Sequence, residues 1–313
     1  MTSTLNTSIL VLGAGELGMA VLREVAVMAA PRDVRVTVLL RPATLQSTAA
    51  DKQKDLAELR ALGIELLAGD LVNDSQTDLA AVFAPFDTVI SCIGFAAGPG
   101  TQRKLARAAI EGGVKRFVPW QFGVNYDVIG RGSAQDLFDE QLDVRDLLRA
   151  QHGTQWIIVS TGMFTSFLFE PSFGVVDLAQ NTVHALGDWD TAVTVTTPKD
   201  IGRLTAQIVF AEPPIANQVV YTAGDTLTYG QLADTVDTAL GRTVTRVRWS
   251  IPELQSDLSK APEDSLKKYR VVFAQGKGVA WDPANTFNAQ RQIAVTGVAE
   301  WIRHNLKAPL TSV

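Results

Sequence analysis

The stretch Ser8-Ile-Leu-Val-Leu-Gly-Ala-Gly-Glu-Leu-Gly18 decides the fold: an apolar run of strand length stops at Gly13 and passes through Gly15 and Gly18 into a helical pattern. A second apolar run, Val34 to Leu40, follows at βαβ spacing and ends on Arg41-Pro-Ala-Thr44. An isolated G-x-G-x-x-G is a common glycine turn, but strand, glycines, helix and second strand in this order form the dinucleotide-binding fingerprint. Gly13 permits the tight turn, Gly15 lets the backbone approach a pyrophosphate, and Gly18 lets the helix pack closely on the strand. The amides of residues 14–18, those of Glu16 and Leu17 among them, then face the phosphates at the helix N-terminus.

Arg41 selects the dinucleotide. A carboxylate at the end of the second strand would bind the ribose hydroxyls of NAD and repel a 2'-phosphate, whereas a guanidinium offers that phosphate a charge-assisted fork. The chain has the arginine and no acid there; Thr44 and Ser47 add hydroxyls, and Lys52 or Lys54 further charge. The expected cofactor is NADP(H).

With 313 residues, 46% of them apolar, the chain can bury a full core and carry a nucleotide domain plus a smaller one. A net charge of -5 and no Lys/Arg block argue against nucleic acid or a membrane surface as partner. Met1 to Thr7 are polar and the apolar run after them has only strand length, so a cytoplasmic protein without a membrane span is expected. Cys92 is the single cysteine, which excludes an intramolecular disulfide and a cysteine-rich zinc site. Its strand setting reads as a buried, inert thiol, with a redox switch as the alternative. His152, His184 and His304 show no metal-ligand spacing, and no metal is expected.

Strands and helices alternate through the first half: strand 8–12, helix 16–29, strand 34–40, helix 51–62, strands 64–68 and 87–93, helix 100–112, strand 115–119, helix 134–151 and strand 155–160. Short apolar runs between helical periods imply a doubly wound α/β fold, a parallel sheet covered on both faces. Residues 1–160 form the Rossmann domain, 193–224 return to it, and the rest of 161–313 makes a smaller substrate-binding domain. There the pattern predicts strands 193–197 and 219–222 around helix 198–211, then helix 229–240, strand 244–248, helices 251–260 and 263–273, and a final helix 286–305.

Ligands of such sheets lie beyond the carboxyl ends of the strands, so the residues just after each strand define the site. Asp70 follows the third strand at the adenine edge, and Ile93-Gly94 follows the fourth, near the middle of the cofactor. The loop Gly94 to Gly100 reads equally as a cap on the cofactor or as a mobile connection. Trp120-Gln-Phe122-Gly after the fifth strand, with Phe122 toward the cofactor, and Ser160-Thr-Gly-Met163-Phe164 after the sixth are expected to form the active-site wall. The aromatics Phe164, Phe167, Phe169 and Phe173 read either as core or, with Trp120 and Met163, as the lining of a pocket for a flat aromatic substrate.

Gln102-Arg-Lys-Leu-Ala-Arg-Ala-Ala-Ile-Glu-Gly-Gly-Val-Lys-Arg-Phe-Val-Pro-Trp-Gln-Phe-Gly123 resembles the segment ending in Pro-x-x-Phe-Gly of the isoflavone reductase and pinoresinol-lariciresinol reductase group, within the NmrA-like branch of atypical short-chain dehydrogenases. Leu186-Gly-Asp188 and Asp200-Ile-Gly202 are similar to later landmarks of that group, and the resemblance spans roughly residues 8–305. It implies an NADPH-binding Rossmann domain, a C-terminal substrate domain and small aromatic or phenylpropanoid substrates. It also places Arg41 and Thr44 at the 2'-phosphate and Gly13, Gly15 and Gly18 in the phosphate loop. The family's extra first glycine falls here on Leu12, and the serine of its motif on Trp120.

The family's catalytic lysine falls on Gln141, in a segment beginning Phe138-Asp-Glu-Gln141. No Tyr-x-x-x-Lys pair replaces it, since Tyr126 is followed at that spacing by Gly130. An amide can bond a carbonyl oxygen but supplies no proton near neutral pH. Three readings stand. A reductase could act on a quinone or quinone-methide-like phenolic that needs little acid catalysis, with Gln141, Tyr126 or Thr161 orienting its oxygen. An NAD(P)-binding redox sensor would engage a protein partner without turnover. Alternatively, Tyr126 or Lys199 could supply the proton. Whichever holds, Arg41 predicts that NADPH binds more tightly than NADH by about one to a few kcal/mol, which calorimetric dissociation constants for the two cofactors will show; equal values would contradict it.

Overall fold

The computed structural model describes residues 8–306. Its largest sheet is built from β1 (Ser8–Leu12), β2 (Arg35–Leu40), β3 (Glu65–Ala68), β4 (Thr88–Ser91), β5 (Arg116–Val118), β6 (Gln155–Ser160) and β7 (Gln218–Tyr221), in the order β7-β6-β5-β4-β1-β2-β3. The ladders from β3 to β6 are parallel. β7 joins in ascending register, with the Asn217 amide on Trp156 and the Thr222 amide on Ser160. All five residues of β1 are buried, as an apolar run covered on both faces must be. The strand order reverses between β1 and β4, the switch point beside which such sheets bind ligands.

Two compact units divide the chain. The first takes the residues up to Gln121 together with Glu140–Val159 and Ile201–Val220; the second takes Phe122–Asp139, Ser160–Asp200 and the chain from Tyr221. The sequence pattern places 122–139 in the Rossmann domain and returns 193–224 to it. In the structure Phe122–Asp139 is claimed by the second unit through long-range bonds. The Asn125 amide donates to the Gly278 carbonyl, Gln135 reaches Ser265, and Lys268 pairs with Asp136 at 3.0 Å. The strand Ala192–Thr196, expected in the returning segment, pairs instead with Met163–Phe164 and Asp225–Thr228 in a three-stranded sheet of the second unit. A second three-stranded sheet joins Thr245–Trp249, Thr182–Leu186 and Val176–Asp177.

Helix Glu16–Ala29 and helix Ala50–Ala61 follow the expected spans to within a residue. Helix Gln76–Phe83, between β3 and β4, was not expected; Ser75 caps it, accepting from the Asp78 amide, and Leu79, Ala80 and Phe83 bury its inner face. The predicted final helix 286–305 is in fact two, Phe287–Gln290 and Val298–Asn305. Gln292 turns the chain at φ 54°, and carboxylates claim the amides between them: Asp200 accepts from Thr296 and Asp225 from Val298. Among the described residues no helix is long and apolar enough to cross a membrane, and no cluster of His, Cys, Asp or Glu could hold a metal ion.

Gly202 shows why the Asp-Ile-Gly landmark needs its glycine. A Cβ there would lie against the Ala20 backbone and 2.9 Å from the Val21 nitrogen, so the helices Pro198–Val209 and Glu16–Ala29 can meet only without it. Gly202→Ala is expected to destabilise the first unit by about 1–3 kcal/mol through overpacking, read as a lowered denaturant midpoint.

Candidate functional site

The glycine loop is built by one close approach. Gly13, at φ 87°, turns out of β1, and its amide donates to the Leu39 carbonyl of β2 at 3.1 Å. A Cβ on Gly18 would collide with the Gly13 carbonyl, and one on Gly13 with the Ile93 side chain. Gly15 differs. Its φ of -74° suits any residue, nothing lies within 4 Å of where its Cβ would be, and it caps helix Glu16–Ala29 with no side chain bonding the first amides. The exposed helix N-terminus therefore offers free amide donors and room for a phosphate group. Glu16 is exposed beside Gly15, and Leu17 and Gly18 are buried.

A cavity of about 430 Å³ opens beside this loop, within the size range of small-molecule sites. Gly13, Gly15, Arg41, Thr44, Asp70, Ile93 and Gly94, all expected at the cofactor from sequence, line it together. Arg41 is exposed and Thr44 half-buried, and neither side chain bonds or pairs with a described residue. Asp70 shapes its own loop instead of presenting free oxygens: its carboxylate accepts from the Val72 and Asn73 amides and the Asn73 side chain. The Asn73 bonds, with the nearby Arg41 charge adding less, hold that carboxyl below the usual range. Cys92 also lines the cavity, but burial pushes its thiol well up, which fits the inert reading.

Sequence reasoning offered Lys52 and Lys54 without choosing. Lys52, Asp55, Leu56 and Leu59 reach the cavity; Lys54 does not. Spacing i, i+3, i+4, i+7 puts these four on one helix face, a signal that was available in the sequence.

The Gly94–Gly100 loop is tied at both ends. Gln102 Nε2 donates to the Ile93 carbonyl at 2.8 Å, and the buried Glu140 carboxylate accepts from the Gly100 amide at 2.8 Å and the Arg103 amide at 3.1 Å. Trp120, expected to face substrate, packs on this loop, edge-on to Phe95 with ring centres 4.6 Å apart and against Gly94. Nothing near Glu140 in sequence announces this role, because its partners lie 37 and 40 residues away.

Gln141 is fully buried on helix Leu137–Arg149, and among the described residues neither its side-chain oxygen nor its nitrogen has a hydrogen-bond partner. Its backbone carbonyl accepts from Gln121 Nε2, and Gln121 Oε1 accepts from Arg145 Nε, both at 2.8 Å. Gln121 and Arg145 are likewise fully buried. The Gln121–Arg145 support was missed from sequence.

In the second unit the segments after β5 and β6 are joined at one atom. The Gly123 carbonyl accepts from the Thr161 and Gly162 amides, both at 3.0 Å. Gly162 sits at φ 72° against the Thr194 carbonyl, where no side chain fits. The Tyr126 hydroxyl lies over Gly123, 2.7 Å from where a Cβ would be. Phe122, Tyr126 and Met163 are buried, and Phe164 and Phe167 half-buried. Tyr126, Phe138, Tyr269, Phe167 and Phe173 form a chain of ring contacts with centres 4.5 to 6.2 Å apart. Lys199 is exposed in the first turn of its helix.

A switch-point glycine cradle and a cavity ending in an arginine define a dinucleotide-binding protein of the doubly wound class. The sequence matches the NmrA-like family over residues 6–302, and the chain belongs to that family. It is 49% identical over 300 residues to an NmrA-like family domain-containing oxidoreductase of Gibberella moniliformis, covering 96% of this chain and 98% of the relative. Phenylcoumaran benzylic ether reductase 1 of Arabidopsis thaliana is 28% identical over 265 residues, with 81% and 83% coverage. The crystal structure of an isoflavone reductase shares the fold with a TM-score of 0.77 at 21% identity, covering 96% of this chain and 99% of that one. The 49% identical relative, named an oxidoreductase, supports an oxidoreductase.

Because Gly15 is held by neither strain nor packing, Gly15→Val is expected to leave the thermal midpoint within about 1 °C while weakening NADPH binding at least tenfold, measured by calorimetry.

Proposed function

We propose that the protein is a cytoplasmic NADPH-dependent reductase that delivers hydride to a small aromatic, phenylpropanoid or quinone-type substrate. The observation that carries the cofactor half is the cavity itself, which joins the open helix N-terminus at Gly15 to the unpaired Arg41 and Thr44. Gly13, Gly15 and the amides of Glu16, Leu17 and Gly18 would hold the pyrophosphate, Arg41 and Thr44 the 2'-phosphate, and Ile93 and Gly94 the remainder. NADPH bound there would supply the hydride.

The substrate half rests on Gln141. A buried amide without a partner costs about 1–3 kcal/mol, so such groups persist where something else satisfies them. A substrate oxygen is a suitable partner: Gln141 would donate its amide N–H to the oxygen and orient it. Gln141 cannot protonate that oxygen. Quinones and quinone-methide-like phenolics suit this site because hydride arrival leaves a stabilised phenolate that takes its proton from water. The half-buried Phe164 and Phe167, with Met163 beside them in sequence, fit an aromatic ring. Relatives named as phenylcoumaran benzylic ether reductases favour the same substrate class. An exposed Lys199 does not favour it as the proton donor.

In single-turnover assays, quinones and phenolic propenyl compounds are expected to oxidise NADPH, and aromatic aldehydes to react far more slowly. Gln141→Leu should lower kcat/KM by about threefold to tenfold, the value of one neutral hydrogen bond, with the NADPH dissociation constant unchanged. Tight NADPH binding with no oxidation by any of the panel would overturn the reductase reading and leave the NAD(P)-dependent sensor with a protein partner.

A further inference from the structure

The charged end of the cavity contains more than a phosphate clamp. Lys52 and Asp55 stand one turn apart on the helix face whose next turns, Leu56 and Leu59, are buried and anchor it. The Lys52 ammonium lies 3.6 Å from the Asp55 carboxylate and 3.7 Å from that of Asp51, and both members of the Lys52–Asp55 pair keep substantial exposure, 46% and 35%. Of these, Lys52 and Asp55 line the cavity with Arg41, Thr44 and Asp70; Asp51 does not. Cavity charge is therefore balanced before any ligand enters, with two cations against two carboxylates.

A dinucleotide with a free 2'-hydroxyl leaves that balance untouched. One with a 2'-phosphate adds close to two negative charges, which attract Arg41 and Lys52 and are opposed by Asp55 and Asp70. The Asp70 oxygens are already engaged by Asn73 and Val72. The Asp55 carboxylate instead faces the ammonium that the phosphate would also attract, with the Arg23 charge nearby.

We propose that Asp55 sets the degree of preference for NADP(H) over NAD(H), by holding the Lys52 ammonium for which a 2'-phosphate at Arg41 and Thr44 must compete. This rests on the NADP(H) reading of the cavity but not on the substrate or on turnover. Lys52 is long and half-exposed, so it can leave Asp55 for the phosphate without backbone movement. Asp55 acts through Lys52 and is a positioning residue. The effect is confined to the phosphorylated cofactor and weakens with salt, because all the groups are partly solvated.

The test is calorimetric binding of NADP+ and NAD+ to the full chain, wild type, Asp55→Asn, Lys52→Gln and the double variant, at low and physiological salt. Asp55→Asn is expected to tighten NADP+ by about twofold to tenfold, the range for one partly screened charge, with NAD+ unchanged and the gain shrinking at the higher salt. Lys52→Gln should weaken NADP+ alone, and in its background the gain from Asp55→Asn should largely vanish. An unchanged NADP+/NAD+ ratio in Asp55→Asn, or equal changes for both cofactors, overturns the proposal. So does a full gain in the Lys52→Gln background, which would mean simple repulsion by Asp55. Failure of wild type to bind either nucleotide overturns the cofactor reading and this inference together, whereas preferential NADP+ binding with an insensitive ratio removes only this inference.

Discussion

The approach of Gly18 to the Gly13 carbonyl is the constraint on which the cofactor end of the molecule depends. Helix Glu16–Ala29 can start directly at the end of β1 only because neither residue carries a side chain there. That start leaves the first helical amides uncapped and Gly15 facing open space. The same turn sends the Gly13 amide to Leu39, which locks β1 to β2 and brings Arg41, one residue beyond β2, into the wall of the same cavity. The open helix N-terminus at Gly15 and the place of Arg41 in the cavity wall are thus set by one backbone contact and one strand register.

Helix Leu137–Arg149 is the second organising element of the first unit. Adjacent residues on it do different work: Glu140 ties the amides at the start of helix Thr101–Glu111, while the Gln141 carbonyl is held through Gln121 to Arg145. Buried polar groups are expensive unless bonded, and here the backbone of residue 141 is fully supported while its side-chain amide is left without a protein partner.

Much of this was legible along the chain. The switch-point glycines, Arg41, and the strand–helix alternation of the first half depend on local periodicity and turn chemistry, and β1, helix Glu16–Ala29 and β6 have the spans that periodicity predicts. Helix Gln76–Phe83 escaped notice although Ser75 and Asp78 stand at capping distance, because eight residues give too short a period to stand out. The final helix was overextended because Asp200 and Asp225, distant in sequence, claim the amides that break it. Trp120 read as a substrate wall, whereas its packing against Gly94 and Phe95 depends on where the β4 loop lies.

The sequence by itself determined the class of sheet, the glycine turn out of β1 and the positive charge one residue beyond β2, since each follows from residues within one turn or one strand of one another. Only the tertiary structure decided that the helix face carrying Lys52 and Asp55 lines the cavity, that Glu140 holds the loop after β4, and that Phe122–Asp139 joins the second unit. These are pairings across 37 residues or more, or choices of helix face made by burial of Leu56 and Leu59. A chain records such pairings nowhere locally: the free energy that selects them comes from groups that meet only once the fold has closed.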